Sequence, residues 1–195
     1  MNRALLAVLV VLLSMPLFAQ DNEAETLLTG DIDHGGFGGP VVKFGNVYDE
    51  SAVMVGGRGG WIIDHFLSLG GGGYGLVTEI TTRPDEFLLM GYGGFEIEFI
   101  IASNRVLHST IGTLVGAGGF SSQDRNFNHE NDTEIQGDAF FVMEPSVNAE
   151  LNVARFMRVN AGVSYRYTDG ADKFGITDTD LSGLNAVLTL KFGAF

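Results

Sequence analysis

The pattern that most constrains this chain is a period-two alternation of apolar with polar or small residues, repeated along most of its length. At 139–153, Ala139, Phe141, Met143, Pro145, Val147, Ala149, Leu151 and Val153 alternate with Glu144, Ser146, Asn148, Glu150 and Asn152. At 157–167, Met157, Val159, Ala161, Val163, Tyr165 and Tyr167 alternate with Arg158, Asn160, Gly162, Ser164 and Arg166. The last run sets Leu184, Ala186, Leu188, Leu190 and Phe192 against Asn185, Val187, Thr189 and Lys191, and the chain ends on an aromatic residue, Phe195. Successive side chains of a strand point to opposite faces, so each run is a strand with one apolar face. No long segment carries the three-and-four spacing of an amphipathic helix.

Eight such runs can be drawn, at about 37–47, 51–64, 65–80, 86–102, 106–120, 138–153, 156–168 and 182–195. The connections near Asp64, Ser103–Arg105 and Ala154–Arg155 are tight, whereas Ser121 to Gly137 and Asp169 to Leu181 are long and polar. An even set of antiparallel strands with short turns at one end and long loops at the other is the pattern of a membrane barrel with both termini at the short-turn end. Two runs break phase. Leu67 and Leu69 fall on one face while Tyr74, Leu76 and Ile80 fall on the other, so a bulge is expected within Gly70–Gly73. Phe192 and Phe195 are out of step across Gly193, which calls for a second slip.

A length of 195 residues suits one domain. Residues 1–19 have the form of an export signal: Arg3 supplies the positive charge, Leu5 to Leu13 the apolar core, Pro16 a helix break and Ala19 a small residue at the cleavage site. That core is too short to span a bilayer, so cleavage is expected. Residues 20–36 are acidic and glycine-punctuated and read as a periplasmic tail, leaving 37–195 as the barrel domain. The chain contains no cysteine, which excludes disulfides, a thiolate nucleophile and the lipid-attachment cysteine of a lipoprotein. A net charge of −13 argues against a nucleic-acid partner, because phosphate binding needs clustered Lys and Arg.

Alternation alone does not say which face is outside, because a soluble barrel with an apolar interior shares it. Volume decides. A barrel of about eight strands has an interior only just filled by side chains. Trp61, Phe95, Phe99, Tyr165, Tyr167 and Phe192 with the accompanying aliphatics would overfill it. The opposite face, with Gly56, Gly60, Gly94, Gly116 and Gly162, suits a crowded lumen. The apolar face is therefore expected to meet lipid, in the outer membrane of a Gram-negative-type bacterium.

These features resemble the small eight-stranded outer-membrane barrels, the OmpA transmembrane domain and OmpX-like proteins, over about 37–195. The resemblance is carried by the terminal Phe195, the alternating strands and an aromatic girdle of Trp61, Phe99, Tyr165, Tyr167 and Phe192 near strand ends. It implies lipid and lipopolysaccharide as the surroundings, and a terminal strand, ending at Phe195 in the membrane interface, that the barrel-assembly machinery reads during biogenesis.

The inward ionisable set is Lys43, Arg58, Glu96, Glu98, Glu144, Glu150, Arg158, Arg166 and Lys191. In a narrow interior such charges must pair or bear a large desolvation cost. A salt-bridged plug is the expected reading, in a barrel with a structural or surface-interaction role; a gated, porin-like conduit is the alternative. A tight turn near Ala154–Arg155 sets Glu144 opposite Arg166, or after one dyad shift Glu150 opposite Arg158. His108-Ser109-Thr110 bears a faint similarity to the His and Ser of outer-membrane lipid A deacylases, but Thr110 stands where their serine lies. No catalytic site is expected. Asp124, Glu130, Asp132, Glu134 and Asp138 in one loop, and Asp169, Asp172, Asp178 and Asp180 in another, match no calcium-loop spacing. His34, His65 and His129 are scattered, so neither a metal nor a cofactor is expected.

Overall fold

The computed structural model describes residues 32–83, 86–124, 137–171 and 175–195, without side-chain placement at 82–86 and 122–124. The export signal at 1–19, nearly all of the tail before His34, and Glu130, Asp132, Glu134, His129 and Asp172 lie outside the described residues.

The strands are β1 His34–Val47, β2 Glu50–Ile63, β3 Leu67–Leu76, β4 Thr81–Arg83, β5 Glu86–Ile101, β6 Leu107–Asp124, β7 Gly137–Ala154, β8 Met157–Asp169 and β9 Gly183–Ala194, with one helical turn, α1, at Asp178–Leu181. The order β3-β2-β1-β9-β8-β7-β6-β5 is closed by a β3–β5 pairing. Every pairing is antiparallel, so eight long strands form a barrel with no free edge. β4 pairs only with the loop-end extension of β5. The first strand starts three residues earlier than the alternation suggested, because Gly35 and Gly36 still pair with Ile62 and Trp61.

Sharp turns close the terminal end. Asp64 and His65 adopt positive φ values of 49° and 58° between β2 and β3, and Ala102 does so at 60° after β5. At the opposite end Tyr48 and Asp49 make a two-residue turn with φ of 54° and 58°, the conformation whose twist matches flanking strands. The other connections at that end are longer.

Neither expected phase slip occurs. The β2–β3 register runs from Met54↔Leu76 to Ile63↔Leu67, and β3–β5 from Leu67↔Phe99 to Gly75↔Gly91, both unbroken. Leu67 and Leu69 share the outward phase, whereas Tyr74 is buried inside, where its hydroxyl donates to Glu96 at 2.7 Å. A lumenal tyrosine acts as a polar residue here, so the bulge assigned to Gly70–Gly73 is not needed. Gly72 answers a different demand: a Cβ there would lie 2.7 Å from both Glu96 Oε1 and the Tyr74 hydroxyl. In β9, Phe192 points outward and Phe195 inward with no irregularity, the latter packing against Phe37, Ile62 and Ile100. Phe195 is therefore not in the membrane interface; its ring lies inside the terminal mouth.

The wall is apolar outside. Trp61, Phe95, Phe99, Val147, Val163, Tyr165, Tyr167, Leu188 and Phe192 all lie on the exposed outer face. The eight barrel strands, of 10 to 18 residues, meet or exceed the 9–11 or so needed to cross a bilayer at a tilt. Buried Lys, Arg and Glu fill the inside, so the polarity is that of a transmembrane barrel.

Candidate functional site: the lumenal ion-pair layer

Alternation places every inward residue of one strand level with an inward residue of its neighbour, and the registers then set which charges meet. Near the terminal end, Glu98 of β5 receives Lys191 Nζ at 2.6 Å, Arg58 Nη2 at 3.0 Å and Thr110 Oγ1 at 3.3 Å. Lys191 also reaches Glu150 of β7 at 2.5 Å, so one ammonium joins two carboxylates. Glu150 further accepts from Arg158 at 3.1 Å and Asn160 at 3.2 Å.

Closer to the loops, Glu144 accepts from Lys43 at 2.8 Å, the Tyr92 hydroxyl at 2.6 Å and the Ser164 hydroxyl. Lys43 Nζ also stands 3.3 Å above the centre of the Tyr74 ring. Glu96 is 2.8 Å from Arg58 Nε, so Arg58 links Glu96 to Glu98 and joins the two tiers. Between the two tiers stands Tyr74, whose hydroxyl donates to Glu96 while its ring faces Lys43. The charged groups, out of water, persist only because each carboxylate has several donors at once.

Apolar seals lie on both sides. At the terminal end Phe37, Ile62, Ile100 and Phe195 form a floor, with the Arg158 guanidinium 4.1 Å from the Phe195 ring centre and Lys191 Nζ 4.6 Å from that of Phe37. At the loop end, inward residues including Val41, Met54, Leu88, Met90, Leu114, Phe120, Phe140 and Val142 cluster with Ile80, Ala171, Ile176 and Leu181 from the connections. A central cavity of about 30 Å³, lined by Lys43, Arg58, Tyr74, Glu96, Glu144 and Asn148 among others, has room for one or two waters.

The expected Glu144–Arg166 pair does not form. The β7–β8 register is the anticipated one, with Met143↔Tyr167 and Ser146↔Ser164, yet Lys43 approaches Glu144 from β1 across the lumen. Arg166 instead donates to the main-chain oxygens of Leu181 and Asn46. The Glu150–Arg158 pair is present, made diagonally, since Glu150 is registered with Asn160. Sequence reasoning missed Tyr74, Tyr92 and Ser164 as carboxylate donors. Tyr92 and Ser164 share the phase of Glu96 and Arg166 in their strands, and that phase was the available signal.

His108 is buried with Nε2 3.1 Å from Glu150, its register partner on β7. Ser109, one residue on, lies on the exposed outer face, and Thr110 is committed to Glu98. The imidazole and the serine hydroxyl thus sit on opposite sides of the wall, and this arrangement builds no nucleophile–base pair. Among the described residues no group of His, Cys, Asp and Glu is arranged to hold a metal ion. His65 faces Asp33 at 3.4 Å, and His34 packs on Trp61 with ring centres 5.2 Å apart.

The sequence matches no family model and no curated protein sequence. The structure is similar to the crystal structure of neisserial surface protein A, with a TM-score of 0.53, 11% identity, and coverage of 85% of this chain and 99% of that one. It is also similar to Ail, the attachment invasion locus protein of Yersinia pestis, in complex with the heparin analogue sucrose octasulfate, with a TM-score of 0.50, 8% identity, and coverage of 82% and 97%. The outer membrane protein OprG from Pseudomonas aeruginosa aligns with a TM-score of 0.48 at 9% identity over 82% of this chain and 94% of that one. At these identities the likeness is one of fold: this chain is a closed, eight-stranded antiparallel barrel of the kind built by small outer-membrane proteins.

Proposed function

We propose that this chain is an integral outer-membrane protein with a structural or surface-interaction role, its lumen plugged by its own ion pairs. The observation that carries the reading is the ionic layer held between two apolar seals, inside a wall whose outer face is apolar. Residues 1–19 direct export, both termini face the periplasm, and lipid and lipopolysaccharide are the surroundings of the wall. Biogenesis passes through the barrel-assembly machinery. The protein is not an enzyme on this reading, because His108 faces a carboxylate inside the wall while Ser109 faces out.

Unboiled protein is expected to migrate faster than boiled protein on gels and to fractionate with outer membrane. The purified barrel in planar bilayers is expected to carry no steady current, because a water-sized central cavity is no conduit. Recovery as a soluble periplasmic species would remove the membrane reading, and a persistent conductance would replace the plug with a channel.

A further inference from the structure

Arg166 is fully buried, and among the described residues no carboxylate holds it. Its Nε donates to Leu181 O at 2.5 Å, its Nη2 to Asn46 O at 3.0 Å, and its Nη1 faces Met54 Sδ at 3.1 Å. Leu181 ends α1 in the β8–β9 connection, whereas Asn46 and Met54 belong to β1 and β2. One side chain rising from β8 therefore fastens α1, from below, to β1 and β2, which lie beyond β9 in the closed wall. Other ties run the same way: Tyr48 N donates to Asp180 O at 2.7 Å and Thr168 Oγ1 to Asp178 O at 2.9 Å. Ile176 and Leu181 are 2% and 0% exposed and insert among the inward side chains of the barrel mouth. The segment is flanked by glycines, Gly175 at a φ of 77° and Gly183 at the start of β9.

We propose that residues 176–182 form a lid seated in the loop-end mouth, and that Arg166 is the latch that holds it shut. A guanidinium suits this task because its planar fork of donors can reach acceptors on separate elements together. Its burial couples the latch to access. A cation that loses its carbonyl acceptors must be hydrated, and Leu181, whose oxygen it holds, is itself fully buried. Unlatching and wetting of the upper lumen are thus one event. Val187 belongs to the same apolar cluster as Ile176 and Leu181 and lines the central cavity with Lys43 and Glu144, so the lid stands over the β8–β9 side of the approach to the ionic layer. The proposal rests on the plugged-lumen reading.

The chain has no cysteine, so a thiol placed at Val187, 8% exposed, is a unique reporter. Val187→Cys protein refolded in vesicles, with folding checked by heat-modifiable mobility, is treated with a charged methanethiosulfonate. With Arg166 present the reaction should be slow. Adding Arg166→Met, or Leu181→Ala if that variant does not fold, should accelerate it at least tenfold. A disulfide formed beforehand between Tyr48→Cys and Asp180→Cys should abolish the acceleration. Equally slow reaction with and without the latch in folded protein would overturn the lid while leaving the plug standing. Fast reaction with the latch in place would overturn both, and acceleration that persists after cross-linking would show entry from the other end and overturn the lid.

Discussion

Lys43 is held by several attractions that converge on one ammonium: the Glu144 carboxylate at 2.8 Å, the Tyr92 hydroxyl oxygen at 3.2 Å and the face of the Tyr74 ring at 3.3 Å. The group is 4% exposed and Glu144 is 3% exposed, so neither charge can fall back on water. Removing one partner of such a buried pair leaves the other uncompensated, at a cost of about 3–5 kcal/mol. Lys43→Met and Glu144→Gln should each destabilise by that order in urea titrations of the refolded barrel. The double variant should cost less than the two single changes together. Full additivity would mean that the two side chains do not depend on each other. Arg166 gives the contrasting case, a buried cation satisfied by main-chain oxygens. Its register position opposite Glu144 could be read from the turn, but the competing approach of Lys43 from β1 across the lumen could not.

Among the elements, β9 carries two separable properties. Its alternation seats Lys191 in the ionic layer and Phe192 on the outer wall, and Phe195, just past its end, turns inward under Arg158. Phe195 remains partly exposed, and burying an aromatic ring contributes a few kcal/mol at most, roughly 1.5–3. Deleting Phe195 should therefore leave refolding in detergent close to normal. A role as the signal read by the assembly machinery, before the strand closes, predicts a clear fall in the yield of folded barrel in cells. Equal losses in the two settings would argue that the residue matters only as packing. Around β3 the lumen's own chemistry, and not the backbone, explains the apparent phase conflict: the Tyr74 hydroxyl belongs beside Glu96, while Leu76 and Ile80 join the apolar cluster at the loop-end mouth.

For the molecule as a whole, the inside-out polarity makes a depth-dependent prediction. Val163 lies outward at the middle of β8, and Leu184 lies outward near the loop end of β9. A charge on the lipid-facing side is most costly at the bilayer midplane and nearly free at the interface. Val163→Arg should destabilise the barrel folded in vesicles by roughly 2–4 kcal/mol, and Leu184→Arg by roughly 0–1. Similar, small effects at both sites would place this face in water. The same view explains why seals are needed at both ends. The ionic layer occupies the middle of the lumen, and the apolar clusters at the floor and the mouth keep bulk water from competing for its donors.

Period two was written into the sequence because each residue's side of the wall follows from its parity once the strand is paired. From that came the strand set, the inward charges, the outward aromatic residues and the shared end of the termini. The helical turn at Asp178–Leu181 left one local trace, Thr177 followed by Asp180, whose carboxylate takes the Thr177 N–H at 2.7 Å. What parity cannot hold is distance across the lumen. Lys43 and Glu144 are separated by 101 positions, and Asn46 and Arg166 by 120. Those partners are chosen by closure of the barrel, by side-chain reach and by which acceptor another cation has already taken. The tertiary structure alone decided that Glu144 belongs to Lys43, and that Arg166 holds the β8–β9 connection down over the mouth.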